Sequence, residues 1–274
     1  MSQKSSVKKK TSKIRKPAAS GYISNPFRLA FKGMSNWLTY NQTLSVLVIA
    51  TSFGAVLFNA FGPADSKTII NMPDNLHGAA LLVGFIIILA LLAASVIFNT
   101  LYMGMVAFVG LQTLKKKTVT FSSALQVARQ KFWNILLAQF IISLKVIGGL
   151  FLLIIPGIRA ALRYSIVHFY IVDKNYDAKT AMKKSKELTK DHLIEIFGLY
   201  FASGIVPVVN GLLLVGGQTE MYAQLSRLKS SKKPKPKVHW LNYLGPLVIF
   251  IVMLLLMAAL ILVIVALAQL AKTA

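Results

Sequence analysis

Residues 151–192 read FLLIIPGIRAALRYSIVHFYIVDKNYDAKTAMKKSKELTKDH. The first half is apolar enough for a membrane, yet Arg159 and Arg163 follow the pair Pro156-Gly157 within it. Proline removes a backbone donor and glycine permits a tight turn, so this pair predicts a hairpin turn between two apolar helices. The second half has the pattern of a lysine-rich amphipathic helix. The stretch therefore predicts a helical membrane protein with charges at defined points along its helices.

The composition of the whole chain also indicates a membrane protein. Of its 274 residues, 55% are hydrophobic and only 14% are charged, and the mean hydropathy is +0.63. A soluble domain carries about a quarter charged residues. The net charge of +23 favours a surface that meets anionic lipid or nucleic acid. There are no cysteines and the four histidines show no metal-ligand spacing, so we expect no metal and no cofactor.

Long apolar blocks predict an all-α fold, a polytopic transmembrane helical bundle with six or seven spans. The block at 79–114 is longer than a bilayer core of about 30 Å requires, so it is expected to tilt, to kink or to project past the lipid. Asn99, Thr100 and Gly104 are the predicted positions for a change of direction. Two further blocks are predicted to be hairpins that turn at Pro156-Gly157 and at Pro207. The predicted spans are residues 43–61, 79–114, 133–155, 158–172, 193–206, 208–222 and 241–270.

Three segments have the periodicity of amphipathic helices that lie at the membrane surface. The first, residues 25–42, is predicted to hold Trp37 and Tyr40 at headgroup depth. Its apolar side is Phe27, Ala30, Phe31, Met34 and Leu38. The second, residues 119–133, has Phe121, Leu125, Ala128 and Phe132 on one side.

The third amphipathic segment, residues 177–190, begins at a good N-cap, Asp177. Its narrow apolar side is predicted to be Ala178, Ala181, Met182, Ser185 and Leu188. Its lysines are expected to contact anionic lipid of the inner leaflet, because each basic residue near such a surface contributes about 1 kcal/mol. These lysines are Lys179, Lys183, Lys184, Lys186 and Lys190.

Placement of the basic residues predicts the orientation. With both hairpins and a cytoplasmic N terminus, most of the 31 basic residues fall on the cytoplasmic side of a multi-pass protein of the cell membrane. Arg159 and Arg163 then lie near the outer interface, and Lys145 lies about half a membrane deeper. The basic leader is too long for a signal-peptide n-region, so the first apolar block is expected to be a retained helix. The predicted organisation is a disordered leader (1–24), a membrane domain (25–225), a basic linker (226–240) and a C-terminal helix (241–274).

The stretch IPGIRAALRYSIVHFYIVD, followed by DAKTAMKKSKELTKDHLIEIFGLYF, resembles the glycerophosphoryl diester phosphodiesterase membrane domain and related uncharacterised bacterial integral membrane proteins. The resemblance covers about residues 104–225, although the glycine expected near Asp191 is absent. In proteins that carry this domain the catalytic part is a separate soluble barrel. The resemblance therefore implies a polytopic, non-enzymatic membrane protein without catalytic residues. The matching positions are Ile155-Pro156-Gly157, Arg159 or Arg163, and Ala181, Ser185 and Leu188.

Lys145, Arg159 and Arg163 are the candidate binding residues for an anionic headgroup or solute, because guanidinium groups match phosphate oxygens. Alternatively, the arginines reach the interface and Lys145 pairs with Glu195 or Glu220. We expect His168 to be a hydrogen-bonded interior residue rather than a further ligand. Gly148-Gly149, Gly211 and Gly216-Gly217 indicate either close helix packing or an unwound transport site.

These observations predict a non-enzymatic membrane protein that organises lipid or partner proteins. The partners considered include further copies of the same chain in a homo-oligomer. The alternative is a transporter or channel for a small anionic or lipid-like solute. A lipid-modifying enzyme is disfavoured because no acid–base pair is apparent. No nucleic-acid partner is expected, since the basic segments lack interleaved aromatic residues.

Overall fold

The structure, a computed structural model, describes residues 22–61, 77–152, 154–231 and 236–273. All regular structure in these residues is helical, which confirms the predicted all-α bundle. The α-helices are α1 (Pro26–Tyr40), α2 (Gln42–Phe61), α3 (His77–Leu114), α4 (Phe121–Leu152), α5 (Ile154–Tyr164), α6 (Val167–Lys174), α7 (Ala178–Thr189), α8 (Leu193–Gly204), α9 (Asn210–Ser231) and α10 (Leu244–Thr273). Short 3-10 helices occupy Pro207–Val209 and Trp240–Tyr243. The predictions for residues 1–21 and for the loop around Lys67 lie outside the described residues.

Three helices of the described residues are long and apolar enough to cross a membrane. They lie at Leu81–Leu114 in α3, Phe121–Phe151 in α4 and Trp240–Leu267, which covers most of α10. The pair α8 and α9 becomes a fourth candidate if it counts as one span, although the chain bends by 115° between them. This is fewer than the six or seven spans predicted. The 11 residues of α5 and the 12 of α8 rise only about 16–18 Å, too little to cross a core of about 30 Å alone.

The change of direction predicted within the long block at 79–114 is absent, because α3 is one continuous helix. The polar residues there join α3 to α4 instead. Thr100 Oγ1 donates to Gln139 Oε1 at 2.8 Å, and Gln139 Nε2 donates to Asn99 Oδ1 at 3.0 Å. Gly104 allows a close approach, since a Cβ there would lie 3.0 Å from the Cα of Ala128. These pairs also show that α3 and α4 are antiparallel.

The predicted surface helix at 119–133 and the span that follows it are a single helix, α4. At its end the chain folds back into α5, as the sequence predicts, but α5 begins at Ile154, so Pro156-Gly157 lies within α5 rather than at the turn. Pro156 stands in the first turn of α5, where its missing N–H removes no helical hydrogen bond. Gly157 is buried against Leu150 of α4. The Pro-Gly pair therefore starts the returning helix.

The return segment predicted at 158–172 is divided between α5 and α6 by a turn at Ser165 and Ile166. The far end of the hairpin is held where Lys131 of α4 donates to Asn175, which follows α6 in a left-handed conformation. Asparagine tolerates this conformation better than most residues. The α4–α5–α6 unit is therefore a helical hairpin joined at both ends.

The helix α1 packs across α9 in the interior of the bundle. A Cβ on Gly33 would lie 2.1 Å from the carbonyl carbon of Gly216, so the two backbones touch. Trp37 is only 1% exposed, and its predicted place at headgroup depth is wrong. The reason is that α1 uses its Gly33 side to contact α9 and buries Trp37 within the protein.

The amphipathic pattern of α7 is confirmed, with a different partner for its apolar side. Asp177 Oδ2 accepts from Lys179 N at 3.1 Å and from Thr180 N at 3.3 Å, as expected of an N-cap. All five predicted apolar-side residues are buried. They pack in the same core as Leu162 and Ile166, against α5 and α6. The apolar side of α7 is consequently used for protein packing and does not enter lipid.

The ends of the predicted organisation are also revised. The helix α9 continues to Ser231, into the predicted linker at 226–240. At the other end, Ile23 N donates to Gln224 Oε1 at 2.9 Å, and Asn242 Nδ2 donates to Ser24 O at 2.7 Å. The last residues of the predicted leader are therefore fixed to the bundle. The helix α10 lies within a few residues of its predicted bounds.

Candidate anion-binding site at the α4–α5 hairpin

The three candidate binding residues come together in one cavity at the α4–α5 hairpin. This hairpin cavity has a volume of about 320 Å³. It contains all three predicted cations and no carboxylate among its lining residues. The lining residues are Lys145, Ile155, Pro156, Arg159, Ala160, Arg163 and Tyr164.

The pairing of α4 with α5 brings the cations to one level. Arg159 and Arg163 are four residues apart on α5 and so share a face. Gly149 of α4 lies against Gly157 of α5, because a Cβ on Gly149 would be only 2.7 Å from Gly157 N. Lys145 is four residues before Gly149, and the position four residues after Gly157 falls between the two arginines. In an antiparallel pair, Lys145 therefore lies level with the gap between Arg159 and Arg163.

Tyr164 is a further residue of the hairpin cavity that the sequence analysis missed. Lys145 Nζ donates to Tyr164 Oη at 3.4 Å and lies 5.0 Å from the centroid of the tyrosine ring. An ammonium group within about 6 Å of an aromatic ring is attracted to its face. Tyr164 follows Arg163 directly, so its proximity to the arginines was evident from the sequence. Its contact with Lys145 depends on the hairpin.

No ion pair within the described residues neutralises these cations. The predicted partners of Lys145 are engaged elsewhere, so that pairing is wrong. Glu220 accepts from Lys32 Nζ at 2.9 Å and from Asn36 Nδ2 at 2.7 Å. Glu195 Oε1 lies 3.3 Å from His192 Nδ1. In addition, Arg163 Nε is buried and has no hydrogen-bond partner among the described residues.

The hairpin cavity faces outward from the bundle, although intramembrane charges usually face the interior. Lys145 and Arg159 are both exposed. They are surrounded by exposed apolar side chains, among them Phe151 at 89% and Ile155 at 77% exposure. Molecules that cover this apolar outer surface can therefore contact the cations.

The hairpin cavity is joined to α7. The backbone carbonyl of Arg163 accepts from Ser185 Oγ at 2.8 Å and from Thr189 Oγ1 at 3.1 Å. The sequence predicts that Arg159 and Arg163 lie at the outer interface and that α7 lies at the inner one. A bilayer core of about 30 Å cannot separate groups in hydrogen-bond contact. One of these two placements is therefore wrong.

The lysines of α7 lie on its outward side. Lys179, Lys183, Lys186 and Lys190 are exposed, while Lys184 pairs with Glu187 at 3.2 Å. These side chains surround a helix whose apolar side is already packed against the protein. They form a basic surface beside the hairpin.

His168 is an interior residue, as predicted, but its expected hydrogen bond is not found. Its Nδ1 atom is buried without a partner in the described structure. Burial lowers the pKa of this imidazole to about 4, so the ring is neutral at physiological pH. His168 does not line the hairpin cavity.

The candidate glycines make close helix contacts. Gly149 meets Gly157, Gly216 meets Gly33, and a Cβ on Gly211 would lie 2.3 Å from Ser52 Oγ. Gly148 has open space around it. A Cβ on Gly217 would lie 2.4 Å from Leu199 Cδ1, so the contacts support close packing, of the two interpretations, at four of the five positions. Within the described residues no group of three or more histidine, cysteine or acidic side chains could hold a metal ion.

No family model, curated protein or solved structure matches this chain. The resemblance to the phosphodiesterase membrane domain accordingly stays a prediction from residues 104–225.

Proposed function

We propose that this chain is a non-enzymatic integral membrane protein of the cytoplasmic membrane that binds anionic lipid at the α4–α5 hairpin. The observation that carries the proposal is the convergence of Lys145, Arg159 and Arg163 on one cavity without a carboxylate. Phosphate oxygens are the natural partners of such a group, since arginine and lysine form charge-assisted hydrogen bonds with them. The lipid phosphate would supply the negative charge that the described residues do not.

The polarity of α7 supports a position for the hairpin in the membrane. Lys183, Lys186 and Lys190 are exposed and would be costly in hydrocarbon, so α7 belongs at the membrane surface. Because α7 contacts the carbonyl of Arg163, the membrane core begins near that residue. The rise from Arg163 to the hairpin turn at Ile154 is about 14 Å, roughly half of a 30 Å core. The hairpin is thus re-entrant: it enters the membrane and returns on the same side.

The helix α3 agrees with this boundary. Its residues from Leu81 to Asn99 are almost all exposed and apolar, and Thr100 is the first that is buried. The antiparallel contacts of Asn99 and Thr100 with Gln139 put that change about four residues beyond Arg163, on the side away from the hairpin turn. The exposed part of α3 rises about 27 Å, which matches the thickness of the hydrocarbon core.

The distribution of basic residues supports a cytoplasmic location for this side. If Arg159 and Arg163 lie on the same side of the membrane as α7, fewer basic residues are outside the cell than in the orientation predicted from the sequence. The anionic lipids would then be those of the inner leaflet. The exposed lysines of α7 attract the same leaflet, each by about 1 kcal/mol.

The alternative of a transporter places Lys145 in a polar passage within the bundle. The exposure of Lys145 beside Phe151 and Ile155 favours contact with lipid instead. The resemblance to a membrane domain without catalytic residues is consistent with a binding role.

The test is the retention of lipid by the full chain purified in mild detergent, measured by native mass spectrometry. The variants are K145Q, R159Q and R163Q. The matched control is R129Q, which removes an equal charge from an exposed position of α4 outside the hairpin cavity. Loss of one charge-assisted hydrogen bond costs about 1.5–3 kcal/mol, or roughly tenfold or more in affinity. Retention in all three variants equal to that of R129Q refutes the proposal.

A further inference from the structure

We infer that the hairpin cavity selects a lipid whose headgroup is a phosphate monoester over lipids whose phosphate is a diester. This inference rests on the proposed function and names the class of lipid that the same site binds. Three features of the cavity carry it: its charge, the arrangement of its donors and the apolar surface around it.

The positive charge of the cavity is larger than the negative charge of one phosphodiester. Lys145, Arg159 and Arg163 bring three positive charges, and no carboxylate lines the cavity. A phosphodiester carries one negative charge, whereas a phosphomonoester carries about 1.5–2 at pH 7. Near a low-dielectric surface, each uncompensated unit charge is expensive. The monoester therefore leaves the smaller residual charge.

The donors of the cavity match the terminal oxygens of a monoester. A monoester has three terminal oxygens, and a diester has two. The three cationic side chains come from two helices: the arginines lie one turn apart on α5, and Lys145 faces the gap between them from α4. Each side chain can therefore donate to a different oxygen of one phosphate. Arg163 Nε, which is buried without a partner, is one donor in need of an acceptor.

The surroundings of the cavity distinguish a lipid from a soluble phosphate. Ile155 belongs to the lining, and the neighbouring residues Leu144, Ile147 and Phe151 are exposed apolar side chains on α4. Acyl chains that extend along this surface would bury it, and each buried methylene contributes about 0.8 kcal/mol. A water-soluble phosphomonoester gains none of this. The lipid form is thus expected to bind far more tightly than its free headgroup.

The experiment compares three ligands on the full chain in nanodiscs of phosphatidylcholine, a lipid with no net charge. One preparation contains a minor fraction of phosphatidic acid, a monoester, and a second contains the same fraction of phosphatidylglycerol, a diester. A third receives glycerol 3-phosphate in solution. Native mass spectrometry of the released protein reports binding. Nanodiscs with R129Q protein are the control for general surface charge.

The expected result is binding of phosphatidic acid roughly tenfold tighter than of phosphatidylglycerol, with little binding of glycerol 3-phosphate. Substitution R159Q should reduce the preference for phosphatidic acid, while R129Q should keep it. Lowering the pH to about 5 should also reduce the preference, since the second ionisation of a phosphomonoester has a pKa near 6. A structural role of Arg159 would not produce this pH dependence.

Other outcomes separate this inference from the proposed function. Equal binding of both lipids, lost in R159Q, overturns the monoester preference and leaves an anionic-lipid site. Binding of glycerol 3-phosphate as tight as that of phosphatidic acid overturns the lipid assignment and supports the transporter alternative. If neither lipid binds more tightly than in the R159Q variant, both the inference and the proposed function fail.

Discussion

Two adjacent glycines of α4 provide a sharp test of the hairpin. We predict that Gly149→Ala destabilises the protein and Gly148→Ala does not. Both positions lie in the last turns of α4, and only one faces α5. A Cβ on Gly149 would be 2.7 Å from Gly157 N and 2.8 Å from Gly157 Cα, whereas a Cβ on Gly148 meets nothing within 4 Å.

The magnitude follows from these distances. Ordinary contacts of a Cβ are 3.4–4 Å, so α4 and α5 would have to separate by about 1 Å against backbone atoms that cannot rotate away. Overpacking of this kind costs about 1–3 kcal/mol. Replacing glycine by alanine in a helix contributes up to about 1 kcal/mol in the opposite direction. G148A should therefore be as stable as the native chain or more so, and G149A less stable than G148A by about 2 kcal/mol.

Stability is measured in detergent from the fraction of protein that stays monodisperse after heating, with unfolding followed in parallel by the near-ultraviolet circular dichroism of the tryptophans. Lipid retention by native mass spectrometry is the second readout. Separating α4 from α5 moves Lys145 away from Arg159 and Arg163, so G149A should also bind less lipid. If G149A matches G148A in both stability and lipid retention, the packing of the hairpin described here is incorrect.

Three further predictions concern the core. Gly216→Ala should destabilise the bundle by about 1–3 kcal/mol, because its Cβ would lie 2.4 Å from the carbonyl carbon of Gly33. The control in the same heating assay is Gly204→Ala, since a Cβ at that position would meet no atom of the described residues within 4 Å. Glu220→Gln should cost about 1–3 kcal/mol, since the buried carboxylate accepts from both Lys32 and Asn36, while Glu187→Gln in an exposed pair should change stability little. Burial lowers the pKa of His168 to about 4, from a value near 6.5 in the unfolded chain. The unfolded state therefore binds the proton more readily than the native state. The free energy of unfolding should fall as the pH decreases from about 6.5 to 4. A His168→Phe variant should lose that part of the pH dependence in a series of melts, and an unchanged pH profile would show that His168 is not the responsible group.

Local features of this chain were predictable from sequence. The N-cap at Asp177 and the apolar side of α7 depend on residues within one or two turns, and the structure confirms all of them. The same holds for α10, whose apolar block has no charged residue between 241 and 270. The convergence of Lys145, Arg159 and Arg163 also followed from the chain itself, because the helices of a hairpin are adjacent in sequence and pack side by side.

Features that depend on distant residues were not predictable from sequence. The sequence around Trp37 is typical of a residue at the membrane interface. Only the contact between Gly33 and Gly216 shows that Trp37 lies inside the protein. Asn99 and Thr100 looked like positions of a helix break until Gln139 supplied their hydrogen bonds. The pairing of Glu220 with Lys32 joins residues that are separated by 188 positions. The conflict between the outer placement of Arg159 and the inner placement of α7 has a similar origin, since the contact between Arg163 and Ser185 joins α5 to α7.

The central claim is that the α4–α5 hairpin enters the membrane and returns on the side of α7, so that its cations meet the inner leaflet. The direct measurement is labelling of single cysteines with a membrane-impermeant thiol reagent, which the absence of native cysteine makes clean. Probes are placed at Arg159 and at Lys184, and labelling after detergent lysis gives the total for each. The account predicts that both sites are protected in intact cells, that the Lys184 probe is labelled in inverted membrane vesicles, and that the Arg159 probe, about 6 Å below the boundary at Arg163, is labelled there more slowly. Labelling of the Arg159 probe in intact cells, while the Lys184 probe stays protected, would contradict it and would place the hairpin across the membrane.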